Sequence, residues 1–184
     1  MVVKHKQNKG LGEAFRTAVD YAIDHGFGLM VNMDGDGQFD PTDIQSLIDP
    51  ILREEADFVT GNRFMNGHKI EHMPAVKRWG NRRMNKLVSR FCGQTFGDVS
   101  CGFRAYNRET LLKINFYGRF TYTQESFVYF KFQNLAMVER PIAVQYFADR
   151  KSRVAGSVWK YFKRTLGILS GLLMIVPYVG FAVS

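Results

Sequence analysis

A short apolar run, Phe27 to Met33, breaks off at Asp34-Gly35-Asp36-Gly37-Gln38, and this junction limits the folds open to the chain. The run reads as a buried strand. Continued as an extended chain, it points Asp34 and Asp36 to the same side. Two carboxylates so placed repel each other unless a cation lies between them. Hard oxygen ligands of this kind suit Mg²⁺ or Mn²⁺, which keep several waters and bridge to substrate phosphates. Gly35 and Gly37 let a ligand approach the backbone closely, and Gln38 adds a neutral oxygen. A plain strand-to-loop turn favours the same residue types. The surroundings favour the ligand, because open α/β sheets bind at the carboxyl ends of their strands. A helix follows at once, with Asp40-Pro41-Thr42-Asp43 as its cap and Ile44, Leu47, Ile48, Ile51 and Leu52 as its apolar face.

The chain of 184 residues is long enough for one domain with a real core. A net charge of +8 points to an anionic partner: nucleic acid, anionic lipid or a phosphorylated substrate. The basic residues lack a recognised nucleic-acid reader motif, so nucleic acid is not expected. Cys92 and Cys101 are too few for a disulfide framework and have no zinc-site spacing, so they read as reduced thiols of a cytoplasmic domain. Met1 to Lys6 lacks the apolar core of a signal peptide.

In chain order, Val2 and Val3 read as the stub of a strand. Asn8-Lys9-Gly10-Leu11-Gly12 then leads into a helix with Phe15, Ala18, Val19, Ala22 and Ile23 at helical spacing. Free N–H groups at such a helix start can hold an anion, with Lys9 adding charge; an ordinary loop and helix start is the commoner reading of the same residues. Asp57 to Thr60 is a second strand, ending at Gly61-Asn62-Arg63-Phe64, where a planar guanidinium suits phosphate. Lys77 to Arg90 reads as a basic helix with Trp79, Met84, Leu87 and Val88 for a buried side, its charged face meeting water or anionic lipid. Glu125 stands at a helix start, as a base or a charge anchor. Met137 to Phe147 reads as a strand interrupted at Pro141. Asp149 to Ser157 is a basic loop whose Arg150, Arg153 and Ser157 suit phosphate oxygens. Thr165 to Ser184 carries no formal charge over twenty residues, the length of a membrane-spanning helix. Lys160, Lys163 and Arg164, beside Trp159 and Tyr161, favour a cytoplasmic face for the domain before it.

Taken together, these residues resemble the family 2 glycosyltransferases, most closely the dolichol-phosphate mannosyltransferase-like and other polyprenyl-phosphate sugar transferases. The resemblance lies in Asn8 to Ala14, Met33 to Gln38, Gly61 to Phe64, Asp98 with Cys101 to Ala105, Gln124-Glu125, Glu139 to Ile142, and the Arg150 to Ser157 loop before a membrane segment. It implies a glycosyltransferase-A fold, a Rossmann-like α/β sheet binding a nucleotide sugar (GDP- or UDP-linked) with Mg²⁺ or Mn²⁺. On that pattern Asp34 and Asp36 hold the metal on the donor diphosphate, with Gln38 close by and Asn8, Lys9 and Gly10 also on the donor side. Arg63, Arg150, Arg153 and Ser157 face the acceptor phosphate. Asp36, Glu125 and Arg63 form the catalytic set.

The resemblance implies residues 1–158 as a partial catalytic domain and 159–184 as a juxtamembrane segment with a membrane helix. Members of this family normally place further strands before the Asn-Lys-Gly segment and often a second apolar helix after the first. The chain is therefore expected to be a fragment with an exposed sheet edge, weakly active or inactive alone. The alternative from another class is an inactive membrane-tethered fragment that binds anionic lipid or a partner subunit. Self-association into a homo-oligomer is left open.

Overall fold

The computed structural model describes residues 2–65, 73, 75–114 and 123–145. Four strands form one mixed sheet: β1 Leu29–Asn32, β2 Phe58–Asn62, β3 Arg104–Asn107 and β4 Met137–Pro141, in spatial order β1-β3-β2-β4. β3 is antiparallel to both its neighbours, and β4 is parallel to β2. β1, β2 and β4 therefore run the same way. Their carboxyl ends share one edge of the sheet with the start of β3.

The period of two along each strand divides the core. Phe58, Tyr106 and Met137 stand level across β2, β3 and β4 and join one cluster; Val59 and Ala105, one residue along, join the other. The first cluster is closed by α1 Leu11–Asp24, α3 Ala75–Cys92, α4 Arg108–Lys113 and α5 Glu125–Phe132, through Phe15, Val88, Leu111 and Phe127. The second is closed by α2 Ile44–Leu52, through Leu47, together with Phe39, Phe103 and Ile142. Helices thus cover both faces. Phe58 is fully buried among the rings of Tyr106, Phe127 and Phe130, a burial that stabilises by about 1.5–3 kcal/mol.

The strands are shorter than their apolar runs. Phe27 is drawn into the turn that ends α1, its N–H donating to Ala22 O at 2.9 Å past Gly26 at φ +72°. Met33 lies beyond the last pair, Asn32 with Arg104, and both Phe27 and Met33 are exposed. β4 ends at Pro141, level with Asn62, and Ile142 N still donates to Asn62 O at 3.4 Å. Val144 then makes a single bridge to Phe39. Val2 and Val3 are exposed and belong to no strand. The basic helix is longer than its charged run, Ala75–Cys92.

Candidate active site

The shared edge gathers residues far apart in sequence. Asn32, the last residue of β1, donates from Nδ2 to Gly102 O at 2.6 Å and pins the segment before β3 against the start of the aspartate loop. Gly102 then faces Asp34 so closely that a Cβ there would lie 2.8 Å from Asp34 Oδ2. Strand alternation does not carry through to Asp36, because β1 has ended and residues 35–37 turn. Gly37 takes φ +75°, and Gln38 N donates to Asp36 Oδ1 at 3.1 Å. Turn chemistry, not extended geometry, sets the second aspartate. Burial first and the charge of Asp36 second push the Asp34 carboxyl above its usual range, while Arg63 and Arg104 pull it back. Asp34 nonetheless keeps solvent access. Two acidic and two basic side chains thus share one electrostatic neighbourhood.

Arg63, just past β2, is almost wholly buried. Its Nε and Nη2 donate to Asp98 Oδ2 and Oδ1 at 2.6 and 2.8 Å, a bidentate fork. Its backbone N–H donates to Oδ2 as well, at 3.2 Å. Asp98 is held in turn by Glu139 of β4. Glu139 Oε1 accepts from Asp98 N at 2.9 Å, Oε2 from Gly97 N at 2.9 Å, and Oε2 again from Asn62 Nδ2 at 3.1 Å. Burial raises the Glu139 carboxyl, and these donors oppose the rise. Asn85 of α3 completes the clamp, accepting from Val99 N at 3.1 Å and donating to Gly97 O. The loop before β3 is therefore fixed by β2, β4 and α3 together.

Arg104, the first residue of β3, is fully buried and places Glu125. Its Nη1 donates to Ser126 Oγ at 2.9 Å and its Nη2 to Thr123 O at 2.8 Å, on either side of Glu125. Nε reaches Cys101 O at 2.8 Å, and the guanidinium lies 5.2 Å from the Phe127 ring centroid. Glu125 opens α5, half-buried, and burial raises its carboxyl.

The remaining candidates divide into two groups. Asn8 Oδ1 accepts from Gly10 N at 2.9 Å, and Gly10 caps α1 at φ +90°. Asn8, Lys9 and Gly10 line a groove of about 660 Å³ that runs along β1 as far as Val31. Gln38 is tied by its carbonyl, which accepts from Gln145 N at 2.9 Å. Arg150, Arg153, Ser157 and the uncharged stretch 165–184 lie outside the described residues. Among the described residues no helix is long and apolar enough to cross a membrane.

Sequence reasoning assigned no part to Arg104, Asp98, Gly102 or Glu139 in holding this edge. Asp98 and Glu139 carried a signal as marks of the family resemblance. Gly102 and Arg104 carried the same signal, within the Cys101 to Ala105 stretch.

The model of Glycosyl transferase family 2 matches residues 1–114, and the chain belongs to that family of transferases. A mixed sheet between helices, with an acidic pair at a strand end, fits a glycosyltransferase-A fold. The chain is 33% identical over 111 residues to a UDP-N-acetylglucosamine--dolichyl-phosphate N-acetylglucosaminyltransferase of Methanococcus voltae, covering 60% of this chain and 44% of that one. It is 31% identical over 114 residues to a polyprenol monophosphomannose synthase of Mycolicibacterium smegmatis, 61% of this chain and 43% of the relative. With an undecaprenyl-phosphate mannosyltransferase of Micrococcus luteus it shares 28% over 117 residues, 61% and 46% of the two chains. The chain thus spans a little under half the length of these relatives.

Proposed function

We propose that the chain forms part of a metal-dependent, inverting glycosyltransferase that moves a sugar from a GDP- or UDP-sugar to a polyprenyl phosphate or related membrane lipid. The observation that carries this reading is Asp34 and Asp36 at the end of β1, in the field of buried Arg63 and Arg104. The relatives whose names specify dolichyl, polyprenol or undecaprenyl acceptors support the lipid phosphate.

The residues present fit a divalent cation of the Mg²⁺ or Mn²⁺ kind. Among the described residues no group of three His, Cys, Asp or Glu side chains could enclose a metal. An exposed carboxylate pair suits a cation that borrows its other oxygens from a substrate diphosphate and water. Asp34 and Asp36 would hold it, with Gln38 adjacent. When bound, it supplies Lewis-acid relief of the charge on the departing nucleotide.

Asn8, Lys9 and Gly10 bind the donor from the groove beside β1. Arg63 and Arg104 act on Asp34 from behind the edge, and Arg63, its Nε and Nη2 held by Asp98, orders the edge that the acceptor phosphate meets rather than binding that phosphate through its fork. Arg150, Arg153 and Ser157 meet that phosphate from the later loop. Arg150 is five residues beyond Gln145, which is bonded to Gln38, so the loop has up to about 18 Å of chain to reach the site. A phosphate nucleophile is already ionised and needs no strong base. Glu125, with its carboxyl raised by burial, then serves to orient a substrate hydroxyl or phosphate. The stretch 165–184 holds the domain at the cytoplasmic side of a membrane.

Thermal unfolding of the full chain in detergent, with Mn²⁺ and either UDP or GDP, tests this. A ligand specific to the folded state raises the midpoint. One nucleotide should do so only with metal, and Asp34→Asn and Asp36→Asn should abolish the rise. A cooperative transition indifferent to both nucleotides would overturn the donor site.

A further inference from the structure

The outward face of α3 is a stripe of one sign. At 3.6 residues per turn, Val76, Trp79, Arg82, Arg83, Lys86 and Arg90 fall on one side, and all six are exposed. Met84, Val88 and Cys92 face the core from the other side. No acidic residue occurs anywhere in α3. The ion pairs among the described residues, Arg63–Asp98, Lys113–Glu109 and Arg140–Glu55, use none of the stripe's cations. A helix face laced with salt bridges interleaves both signs, and this one does not.

An apolar component runs through the same stripe. Trp79 is 60% exposed, with the Arg83 guanidinium 5.1 Å from its ring centroid. Val76 lies at one end, and Phe91 is exposed near the other. Beside that second end a recess of about 420 Å³ is lined by Lys86, Ser89, Arg90 and Thr95, a size and chemistry suited to a lipid headgroup phosphate. Cations around an exposed indole are the composition that settles at the boundary between headgroups and acyl chains.

We propose that this stripe docks the domain on a membrane surface rich in anionic lipid. Arg82, Arg83, Lys86 and Arg90 meet the headgroup phosphates, and Trp79 enters the boundary layer. The inner face of the same helix carries Asn85, which clamps Gly97 and Val99 on either side of Asp98. Docking through α3 therefore fixes the edge bearing Arg63 and Asp34 relative to the bilayer. This extends the lipid-acceptor function proposed above, yet it requires no sugar transfer and is read without it.

The chain has two tryptophans, Trp79 and Trp159, so Trp159→Phe leaves Trp79 as the sole indole. That full-length variant is placed in vesicles of phosphatidylcholine alone, or of phosphatidylcholine with phosphatidylglycerol, each with and without brominated acyl chains. Trp79 emission should shift to the blue and be quenched by bromine only in the anionic vesicles. Salt at about 1 M, where screening acts within about 3 Å, should reverse both effects. Adding Arg82→Gln, Arg83→Gln and Lys86→Gln should abolish them, since each cation strengthens association with an anionic surface roughly fivefold. An unchanged unfolding transition shows that the variant is folded, and salt reversal in the parent carries the test if it is not. Equal Trp79 emission in neutral and anionic vesicles would overturn the proposal, as would a shift that persists in the triple variant. A Trp79 response to duplex DNA as large as that to anionic vesicles would overturn it in favour of a nucleic-acid surface. The nucleotide response of the unsubstituted chain is measured separately, so failure of the transferase reading and failure of docking are distinguishable.

Discussion

Asp98, with no solvent exposure, receives Nε and Nη2 of Arg63 at 2.6 and 2.8 Å, so two residues thirty-five positions apart act as one buried unit. Neither charge is tolerable there alone. Removing one partner of such a pair costs about 3–5 kcal/mol, whereas replacing both with apolar groups costs far less. Asp98→Asn and Arg63→Met should each lower unfolding stability by about 3 kcal/mol or more. The double variant should be more stable than the sum of the single losses allows, as urea titration of all three would show.

Glu139 serves three donors with one carboxylate. Glu139→Ala leaves Gly97 N, Asp98 N and the Asn62 amide without it. At about 1–3 kcal/mol for each buried donor left unmade, the loss should reach about 3 kcal/mol. Glu139→Gln, which keeps an acceptor oxygen, should recover part of it. Identical unfolding midpoints for the two variants would contradict this role.

Gly102 leaves room for the Asp34 carboxylate. Gly102→Ala should turn Asp34 aside, because the end of that side chain is the movable part of the contact. The expected result is a loss of less than about 1 kcal/mol in stability with at least a roughly tenfold weaker metal-supported nucleotide affinity, equivalent to about 1.4 kcal/mol. Calorimetric titration with Mn²⁺ and nucleotide reads the two apart.

The Asp34 carboxyl is raised by burial first and by Asp36 second. A folded-state value above the unfolded one means the folded chain binds the extra proton between the two. Without metal, this group's contribution to stability is therefore lost as pH rises through that window. A bound cation requires the ionised carboxylate, so with Mn²⁺ the trend reverses and stability grows with pH. Asp36→Asn should move the metal-free window toward ordinary aspartate, about pH 3.9. Thermal midpoints from about pH 4 to about 7, with and without Mn²⁺, check both signs.

Much of this chain is written locally. The apolar spacings that bury Phe15, Val19 and Ala22 in α1, and Leu47 in α2, are helical in the sequence itself. The break at Asp34-Gly35-Asp36-Gly37 announces a strand end, and the ordered motifs announce the family. Strand limits were less legible, because Phe27 and Met33 extend the apolar run while hydrogen bonding places one in a turn and the other past the last pair. The basic run of α3 showed an amphipathic helix with Met84, Leu87 and Val88 inward, as they are; Trp79, expected to be buried with them, is instead 60% exposed, because it falls on the outward side of the helix with Arg82, Arg83 and Lys86.

The sequence by itself determined the helices α1, α2 and α3, the strands leading to the acidic junction and to Arg63, and the junction itself, since each rests on periodicities within a few residues. The order of its motifs determined the family; β3 and α4 had no such local signature. Tertiary structure alone decided that β3 enters the sheet antiparallel between β1 and β2. That topology brings Asp34, Arg63, Asp98, Arg104 and Glu139 to one edge. It also commits the Arg63 fork to Asp98 and anchors Glu125 through Arg104. The reason is physical: a buried charge must find its counterion wherever the fold places one. No local pattern in the chain records a partner thirty-five or more residues away.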